Sequence, residues 1–293
     1  MKKTFNSMDR AMSRRSLVAF GLTALFAGTL AGCGAKPADT AGSAEESAPA
    51  KAVELQIFAA NSLEKAMPEV QALYTEKTGV TFADTQFRAS GDLIEQMRAG
   101  AQVDALITAS KGTMDDAVAG ELVDEATRLD MFVNDLVVVK AEDSDVEIAS
   151  LEDVKNVEGK VAIGDAVTVP AGKYANQSLS TIGLYTGAAG DDGEYAPEFA
   201  GRVALADKVG TAAKYVSTGD ATIGFVYSSD IFRYDGIEQA FVCPEDTHKP
   251  IVYPGAVSAS SEHAKAAADF FDFCMNDAEA QKVWAKYGFE LFA

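Results

Sequence analysis

The sequence predicts an α/β fold of two lobes joined by hinge strands. From Val53 onward, strand-like alternation of apolar residues takes turns with helix-like periodicity, which is typical of helices packed on a largely parallel sheet. Two long apolar runs, FVNDLVVV at 132–139 and IVYPGAV at 251–257, fit strands that carry the chain from one lobe to the other. About 240 folded residues are enough for two such lobes.

The first lobe is predicted to combine residues 53–133 with residues 253–293. Residues 53–58 alternate as in a strand, and the apolar residues between 63 and 73 follow the helical period. Pro68 lacks an N–H and predicts a kink or a broken first turn in this helix. The same patterns predict strands at 80–87 and 105–107 and helices at 93–98, 114–119, 263–275 and 278–287.

The second lobe is predicted to span residues 134–252. Its predicted elements are strands at 161–163, 203–206, 223–227 and 241–242 and helices at 171–181 and 211–217. Because the apolar run at 251–257 returns the chain to the first lobe, the two C-terminal helices complete that lobe.

The N-terminus, residues 1–32, is predicted to be a lipoprotein signal peptide. A basic segment precedes the apolar run 17–30, which is shorter than the roughly 20 residues that a membrane-spanning helix needs. The sequence LAGC then resembles a lipobox, in which Cys33 is the lipidated residue. The stretch SRRSL at 13–17 also resembles a twin-arginine signal, so the export route stays open. An uncleaved anchor helix is the alternative interpretation.

Residues 33–52 are rich in Ala, Ser, Pro, Glu and Asp and contain no large apolar side chain. Such a composition cannot form a core and predicts a flexible tether after Cys33. The protein is therefore expected outside the cytoplasmic membrane, anchored to the cell membrane by lipid.

The net charge of −19 argues against a nucleic-acid partner. Apart from Cys33, the cysteines are Cys243 and Cys274, which are predicted to be buried free thiols, although export would allow them to pair. His248 and His263 show no metal-ligand spacing with them, so no metal-cation site and no cofactor are expected.

Four segments place the start of a helix directly after a strand or loop. Ser62 and Ser90 are predicted to cap such helices, and two further helices start at Pro170-Ala171 and around Val209. First-turn N–H groups lack intrahelical acceptors and carry partial positive charge, so several of them around one cavity would bind an anion. Tyr227, which ends a predicted strand, could add a hydroxyl. Taken singly, each serine could be only a cap and Tyr227 only a core residue.

A set of eight segments carries a resemblance to a known family: FAANSL (58–63), FRASGDL (87–93), DALITAS (104–110), NDLVVV (134–139), IGDAVTVPAGKYA (163–175), IGFVYSSD (223–230), PEDTHKPIVYP (244–254) and KYGF (286–289). Over almost all of residues 53–293 the chain resembles the molybdate-binding proteins of ABC-type importers. The resemblance implies a type II-like periplasmic-binding-protein fold, a monomer, and a permease and an ATPase on other chains as partners.

The resemblance also implies a ligand, molybdate or tungstate, and a set of residues that hold it. Ser62 and Ser90 would bind from the first lobe through both hydroxyl and backbone N–H groups. Ala171, Val209 and Tyr227 would bind from the second, with Ala171 and Val209 acting through backbone N–H groups. No metal cation would be coordinated directly.

The chain departs from the family pattern at three positions. Asn61 stands where a small residue is usual, and Arg88 and Ala89 replace a small Gly/Ser pair. Arg88 could bring a cation near the mouth of the cleft, although an outward orientation is favoured. These changes affect the expected selectivity rather than the expected class.

The sequence leaves three alternatives to molybdate capture. A receptor for another tetrahedral oxyanion, such as sulfate or phosphate, is the main alternative. An enzyme with Ser62 or Ser90 as nucleophile is disfavoured, because no G-x-S-x-G elbow is present and only two histidines are available as bases. A structural or adhesive lipoprotein would show no stabilisation by a ligand.

Overall fold

The computed structural model describes residues 53–292, which form the predicted α/β fold of two lobes. The predicted signal peptide at 1–32, Cys33 and the tether at 33–52 lie outside the described residues. Within residues 53–292, no helix has both the length and the apolar character needed to cross a membrane.

Each lobe is built on its own large sheet, with six strands in the first lobe and five in the second, and a separate two-stranded parallel sheet pairs residues 54–55 with residues 81–82. The strands are β1 (Glu54–Leu55), β2 (Ile57–Ala60), β3 (Thr81–Phe82), β4 (Gln86–Arg88), β5 (Ala105–Ile107), β6 (Leu129–Asn134), β7 (Leu136–Ala141), β8 (Val161–Gly164), β9 (Val203–Ala206), β10 (Ile223–Tyr227), β11 (Ile237–Val242), β12 (Ile251–Val257) and β13 (Glu290–Leu291). The helices are α1 (Ala66–Thr78), α2 (Ser90–Arg98), α3 (Lys111–Ala119), α4 (Pro170–Thr181), α5 (Pro197–Ala200), α6 (Val209–Ser217), α7 (Ala264–Asn276) and α8 (Ala278–Lys286).

Both sheets are mixed, which corrects the prediction of a largely parallel sheet. The six-stranded sheet has the order β13-β6-β12-β5-β2-β4, and the five-stranded sheet has the order β11-β7-β10-β8-β9. Strands β2, β4 and β5 pair in parallel, as do β8, β9 and β10, and these belong to strand–helix units. The antiparallel pairs involve β6 and β12 in one sheet and β7 and β11 in the other. These four strands lie on either side of the two points where the chain passes from one sheet to the other, and they run antiparallel to their neighbours.

The chain passes between the sheets twice. Strand β6 ends at Asn134 and β7 begins at Leu136, so the predicted single strand at 132–139 is two strands separated by Asp135. The chain returns between Val242, the end of β11, and Ile251, the start of β12. The lobe boundaries at 133/134 and 252/253 stay a prediction.

The C-terminal helices pack on the first lobe, where α7 contacts β12 and both α7 and α8 contact α1. Trp284 of α8 is fully buried and lies 4.6 Å from the ring of Phe132, measured between centroids. Its indole N–H donates to the carbonyl of Cys274 at 3.0 Å. Cys274 and Cys243 are both buried, and neither forms a disulfide within residues 53–292, as predicted.

The start of the first helix differs from its prediction. Residues Asn61–Leu63 form a separate 3-10 turn, and α1 begins only at Ala66. Pro68 is then the third residue of α1, where no backbone N–H is needed for an intrahelical bond. The strand predicted at 80–87 is likewise divided into β3 and β4.

Candidate functional site

A small cavity lies between the lobes, and all five predicted ligand residues line it. The space between these residues amounts to about 210 Å3, including the part that opens to solvent. Ser62 and Ser90 reach it from the first lobe, and Ala171, Val209 and Tyr227 reach it from the second. Each of the five residues is at most 4 % exposed. The cavity therefore presents its polar groups away from bulk water.

Ser62 lies within the 3-10 turn and makes no capping hydrogen bond, so its predicted role as a helix cap is wrong. The turn follows β2 directly, and α1 starts too late for the Ser62 hydroxyl to reach its first N–H groups. Its Oγ instead lies 2.9 Å from the Oη of Tyr253 on β12.

Ser90 is the first residue of α2 and not the cap, which is Ala89. No side-chain capping bond is made at this helix start, so the predicted capping role of Ser90 is also wrong. The Ser90 Oγ accepts the backbone N–H of Ala109 at 3.1 Å. Since a hydroxyl has one proton and two lone pairs, this bond leaves the Ser90 proton free to donate.

Ala171 and Val209 present backbone rather than side-chain groups. Ala171 is the second residue of α4, after Pro170, and Val209 is the first residue of α6. At both positions the backbone N–H has no intrahelical acceptor, and the helix dipole adds partial positive charge. Gly172 allows α4 to pack closely on β8, because a Cβ there would lie 1.9 Å from the carbonyl oxygen of Gly164.

Tyr227 ends β10, and its hydroxyl is buried without a hydrogen-bond partner among residues 53–292. Its backbone N–H donates to Asp230 Oδ2 at 3.0 Å, which fixes the end of the strand. Burial, together with the neighbouring Tyr253, raises the pKa of the Tyr227 phenol well above its ordinary value. The hydroxyl therefore keeps its proton at neutral pH, and an unpaired buried donor is costly unless a ligand accepts from it.

One charged side chain, that of Arg88, belongs to the lining of the cavity. Arg88 is also exposed to solvent. Partial burial raises the pKa of the Asp92 carboxyl, Arg88 opposes this shift, and Asp207 and Asp165 of the other lobe add to it. Carboxylates of both lobes thus act on Asp92, and Arg88 offsets part of their effect.

Two backbone groups bridge the lobes beside the cavity. The N–H of Gly91 donates to the carbonyl of Thr168 at 3.0 Å, and the N–H of Gly210 donates to Asn61 Oδ1 at 3.1 Å. The lobes are therefore in contact across the site. Sequence reasoning singled out Asn61 only as a departure from a pattern and missed Tyr253 and Ala109. A buried tyrosine in the IVYP segment needs a hydroxyl partner, which was the available signal for Tyr253.

Comparison with known proteins adds a family match. Residues 55–290 match the family model described as bacterial extracellular solute-binding protein. Molybdate-binding protein ModA of Escherichia coli is 31 % identical over 242 residues, which cover 81 % of this chain and 89 % of that protein.

Solved structures show the same fold. The substrate-binding domain assigned to a molybdenum ABC transporter of Clostridium difficile is 32 % identical, with a TM-score of 0.61, covering 83 % of this chain and 100 % of that one. The periplasmic molybdate-binding protein of Azotobacter vinelandii is 19 % identical, with a TM-score of 0.69 over 82 % of this chain and 100 % of that chain.

Proposed function

The chain belongs to the family of bacterial extracellular solute-binding proteins, and from this premise we propose that it captures molybdate for an ABC importer. Tungstate, which has nearly the same size and charge, is proposed as a second ligand. The observation that carries the proposal is the buried hydroxyl of Tyr227, which has no hydrogen-bond partner among residues 53–292. It lies in a cavity that Ser62, Ser90, Ala171 and Val209 also line. We call Ser62, Ser90, Ala171, Val209 and Tyr227 the donor cage.

The donor cage offers hydrogen bonds without a formal positive charge. It comprises the hydroxyls of Ser62, Ser90 and Tyr227 and the N–H groups of Ala171 and Val209. A fully deprotonated tetrahedral oxyanion has only acceptors, so it complements such a cage. A protonated phosphate would place its own O–H against a donor, which disfavours it.

The negative net charge of the chain does not oppose this ligand strongly. The whole chain carries −19. Charges more than about 8–10 Å apart in water are largely screened at physiological salt. Local dipoles of α4 and α6 act at contact distance among buried lining residues, where screening is weaker than in water.

A rigid cage selects its ligand by size. Sulfate and phosphate are smaller tetrahedra than molybdate, so they cannot reach all donors at hydrogen-bonding distance at once. Each charge-assisted hydrogen bond that is lost costs about 1.5–3 kcal/mol. Two such losses weaken binding by roughly a hundredfold or more.

The proposal places the protein outside the cytoplasmic membrane, with lipid on Cys33 and a flexible segment at 33–52 as tether. The importing partners are an ABC permease and an ATPase. The protein acts as a monomer, needs no cofactor and has no catalytic role, in keeping with a family whose members bind solutes.

The test is a thermal melt of the purified protein with molybdate, tungstate, sulfate, phosphate or no added anion, at one ionic strength. A ligand at about 100 times its Kd adds roughly 2.7 kcal/mol of stability. For a protein of this size the Tm rises by about 5–10 °C. A rise with molybdate and tungstate alone supports the proposal. A comparable rise in Tm with sulfate or phosphate would assign that anion as the ligand instead. No rise with any anion would refute capture of an oxyanion.

A further inference from the structure

A continuous cluster of polar side chains crosses the cleft next to the donor cage. Asn61 and Glu64 come from the first lobe, just after β2, and Arg233 and Tyr234 come from the second lobe, after β10. The Arg233 Nη2 lies 3.0 Å from Glu64 Oε1. The Tyr234 hydroxyl donates to the same carboxylate oxygen at 3.3 Å and accepts from Arg233 Nη2 at 3.1 Å.

The guanidinium of Arg233 is fully buried, and two carboxylates neutralise it. Asp230, in the same lobe, is also fully buried and pairs with Arg233 Nη1. Glu64 comes from the opposite lobe, and 29 % of its side chain is exposed. Burying a charge is costly unless it is paired. Arg233 can form its ion pair with Asp230 in any conformation, because both lie in the second lobe, but it can pair with Glu64 only when the lobes meet.

Asn61 connects this ion pair to the wall of the cavity. Its Nδ2 donates to Glu64 Oε2 at 2.8 Å, and its Oδ1 accepts the backbone N–H of Gly210 at 3.1 Å. Gly210 directly follows Val209, whose own N–H belongs to the donor cage. The side chain of Asn61 therefore holds the first turn of α6 against the first lobe, one peptide away from the proposed ligand.

We propose that Asn61, Glu64, Arg233 and Tyr234 form an interlobe latch, which stabilises the closed conformation. Asn61 also lines the cavity, but its Nδ2 and Oδ1 are engaged by Glu64 and Gly210. The ligand part of this proposal rests on the proposed function. A ligand that binds only the closed form has an apparent Kd divided by the fraction of closed molecules. The latch thus raises the affinity for every anion that fits the cage by the same factor.

The test uses Asn61→Ala and Glu64→Gln, with Glu279→Gln as the matched control. Glu279 is 58 % exposed and pairs with Lys77, which lies in the same lobe, so the control makes the same charge change away from the cleft. Binding of molybdate and tungstate is measured by calorimetry, and dissociation is measured by stopped flow.

A second readout does not need a ligand. Spin labels on Glu95→Cys and Glu152→Cys, both on exposed sites of different lobes, report the interlobe distance with and without molybdate. Cys33 is replaced by Ser in every labelled variant. The other two native thiols, Cys243 and Cys274, are buried, and burial raises the pKa of Cys243 to about 12, so they compete poorly for the label.

Each latch variant is expected to bind both anions about tenfold more weakly, which corresponds to loss of a hydrogen bond to a charged group. The tungstate-to-molybdate ratio stays constant, dissociation accelerates, and the mean interlobe distance rises. Unchanged affinity and distance would overturn the latch, and so would a changed ratio, which would assign Asn61 to the cage itself. If the wild type binds neither anion, the proposed function fails, whereas equal ligand-free distances in variant and wild type would refute the latch separately.

Discussion

The hydroxyl oxygens of Ser62 and Tyr253 lie 2.9 Å apart, although 191 positions separate the two residues in the chain. The Tyr253 Oη is also 3.4 Å from Asn134 Nδ2, which can only donate. Tyr253 can therefore give its own proton to Ser62, and in that arrangement the Ser62 proton is left for the cavity. Ser90 reaches the same state because its Oγ accepts the N–H of Ala109. Both serines are thus oriented as donors by groups behind them.

Tyr253→Phe is expected to weaken molybdate binding several-fold, because Ser62 loses the group that orients its hydroxyl. A net hydrogen-bond contribution of about 0.5–1.5 kcal/mol sets this scale. Tyr195→Phe is the control, since the Tyr195 hydroxyl donates to Asn176 at 2.8 Å within the second lobe. Calorimetric titration should show weaker binding for Tyr253→Phe only. Equal affinities would mean that Ser62 does not need Tyr253.

Tyr227→Phe is expected to change stability and affinity in opposite directions. Without ligand, removal of an unpartnered buried hydroxyl leaves the Tm unchanged or higher, because no hydrogen bond is lost. With ligand, a charge-assisted bond of about 1.5–3 kcal/mol disappears, so molybdate binds at least about tenfold more weakly. Melting and titration of the same preparation check both signs. A Tm that falls without ligand would show that the hydroxyl has a protein partner.

Sequence patterns predicted which residues line the cavity more successfully than they predicted the structural role of each residue. The sequence pattern predicts Ser62 and Ser90 as helix caps. Both capping roles are wrong, yet both residues line the cavity. Ala171 and Val209 line the cavity, and the role proposed for them is through backbone N–H groups. Such a role leaves no side-chain signal in the sequence, so only the family resemblance pointed to these two residues. The two-lobe fold was predictable because strand and helix periodicities are local properties.

The interlobe contacts were beyond sequence reasoning for a physical reason. The ion pair between Glu64 and Arg233 joins residues of different lobes far apart in the chain, and neither residue belongs to a local motif. The Asn61–Gly210 bond likewise depends on how the lobes meet. Local patterns predict elements, whereas such contacts depend on the assembled tertiary structure.

Alkaline pH is expected to destabilise the protein through Tyr234. Burial, opposed by Arg233 and reinforced by Glu64, raises the pKa of Tyr234 from 10.0 to about 12. The phenol is therefore easier to ionise in the unfolded chain, so its contribution is complete below pH 10 and is lost as the pH rises towards about 12.

The free energy of unfolding in urea, measured from about pH 9 to about pH 12, checks this expectation. The curve for Tyr234→Phe should fall less steeply than that of the wild type above pH 10. It keeps a residual slope because burial also raises the pKa of Tyr195 to about 12. Superimposable slopes would mean that Tyr234 ionises equally easily in both states.

Gly210→Ala is expected to keep the lobes apart. A Cβ at Gly210 would lie 2.1 Å from the Tyr234 hydroxyl oxygen and 2.7 Å from Asn61 Oδ1, both of which belong to the interlobe latch. Overpacking at a close contact typically costs about 1–3 kcal/mol, which corresponds to roughly 5- to 150-fold in the molybdate Kd.

The matched control for this substitution is Gly112→Ala in α3, where an added Cβ meets no atom within 4 Å. Alanine is the better helix former by about 1 kcal/mol, so the control should be at least as stable as the wild type and bind molybdate equally well. Titration and the interlobe spin-label distance separate the two variants. If Gly210→Ala binds like the wild type, Asn61 and Tyr234 can move aside at no cost, and closure does not depend on the tight contact at α6.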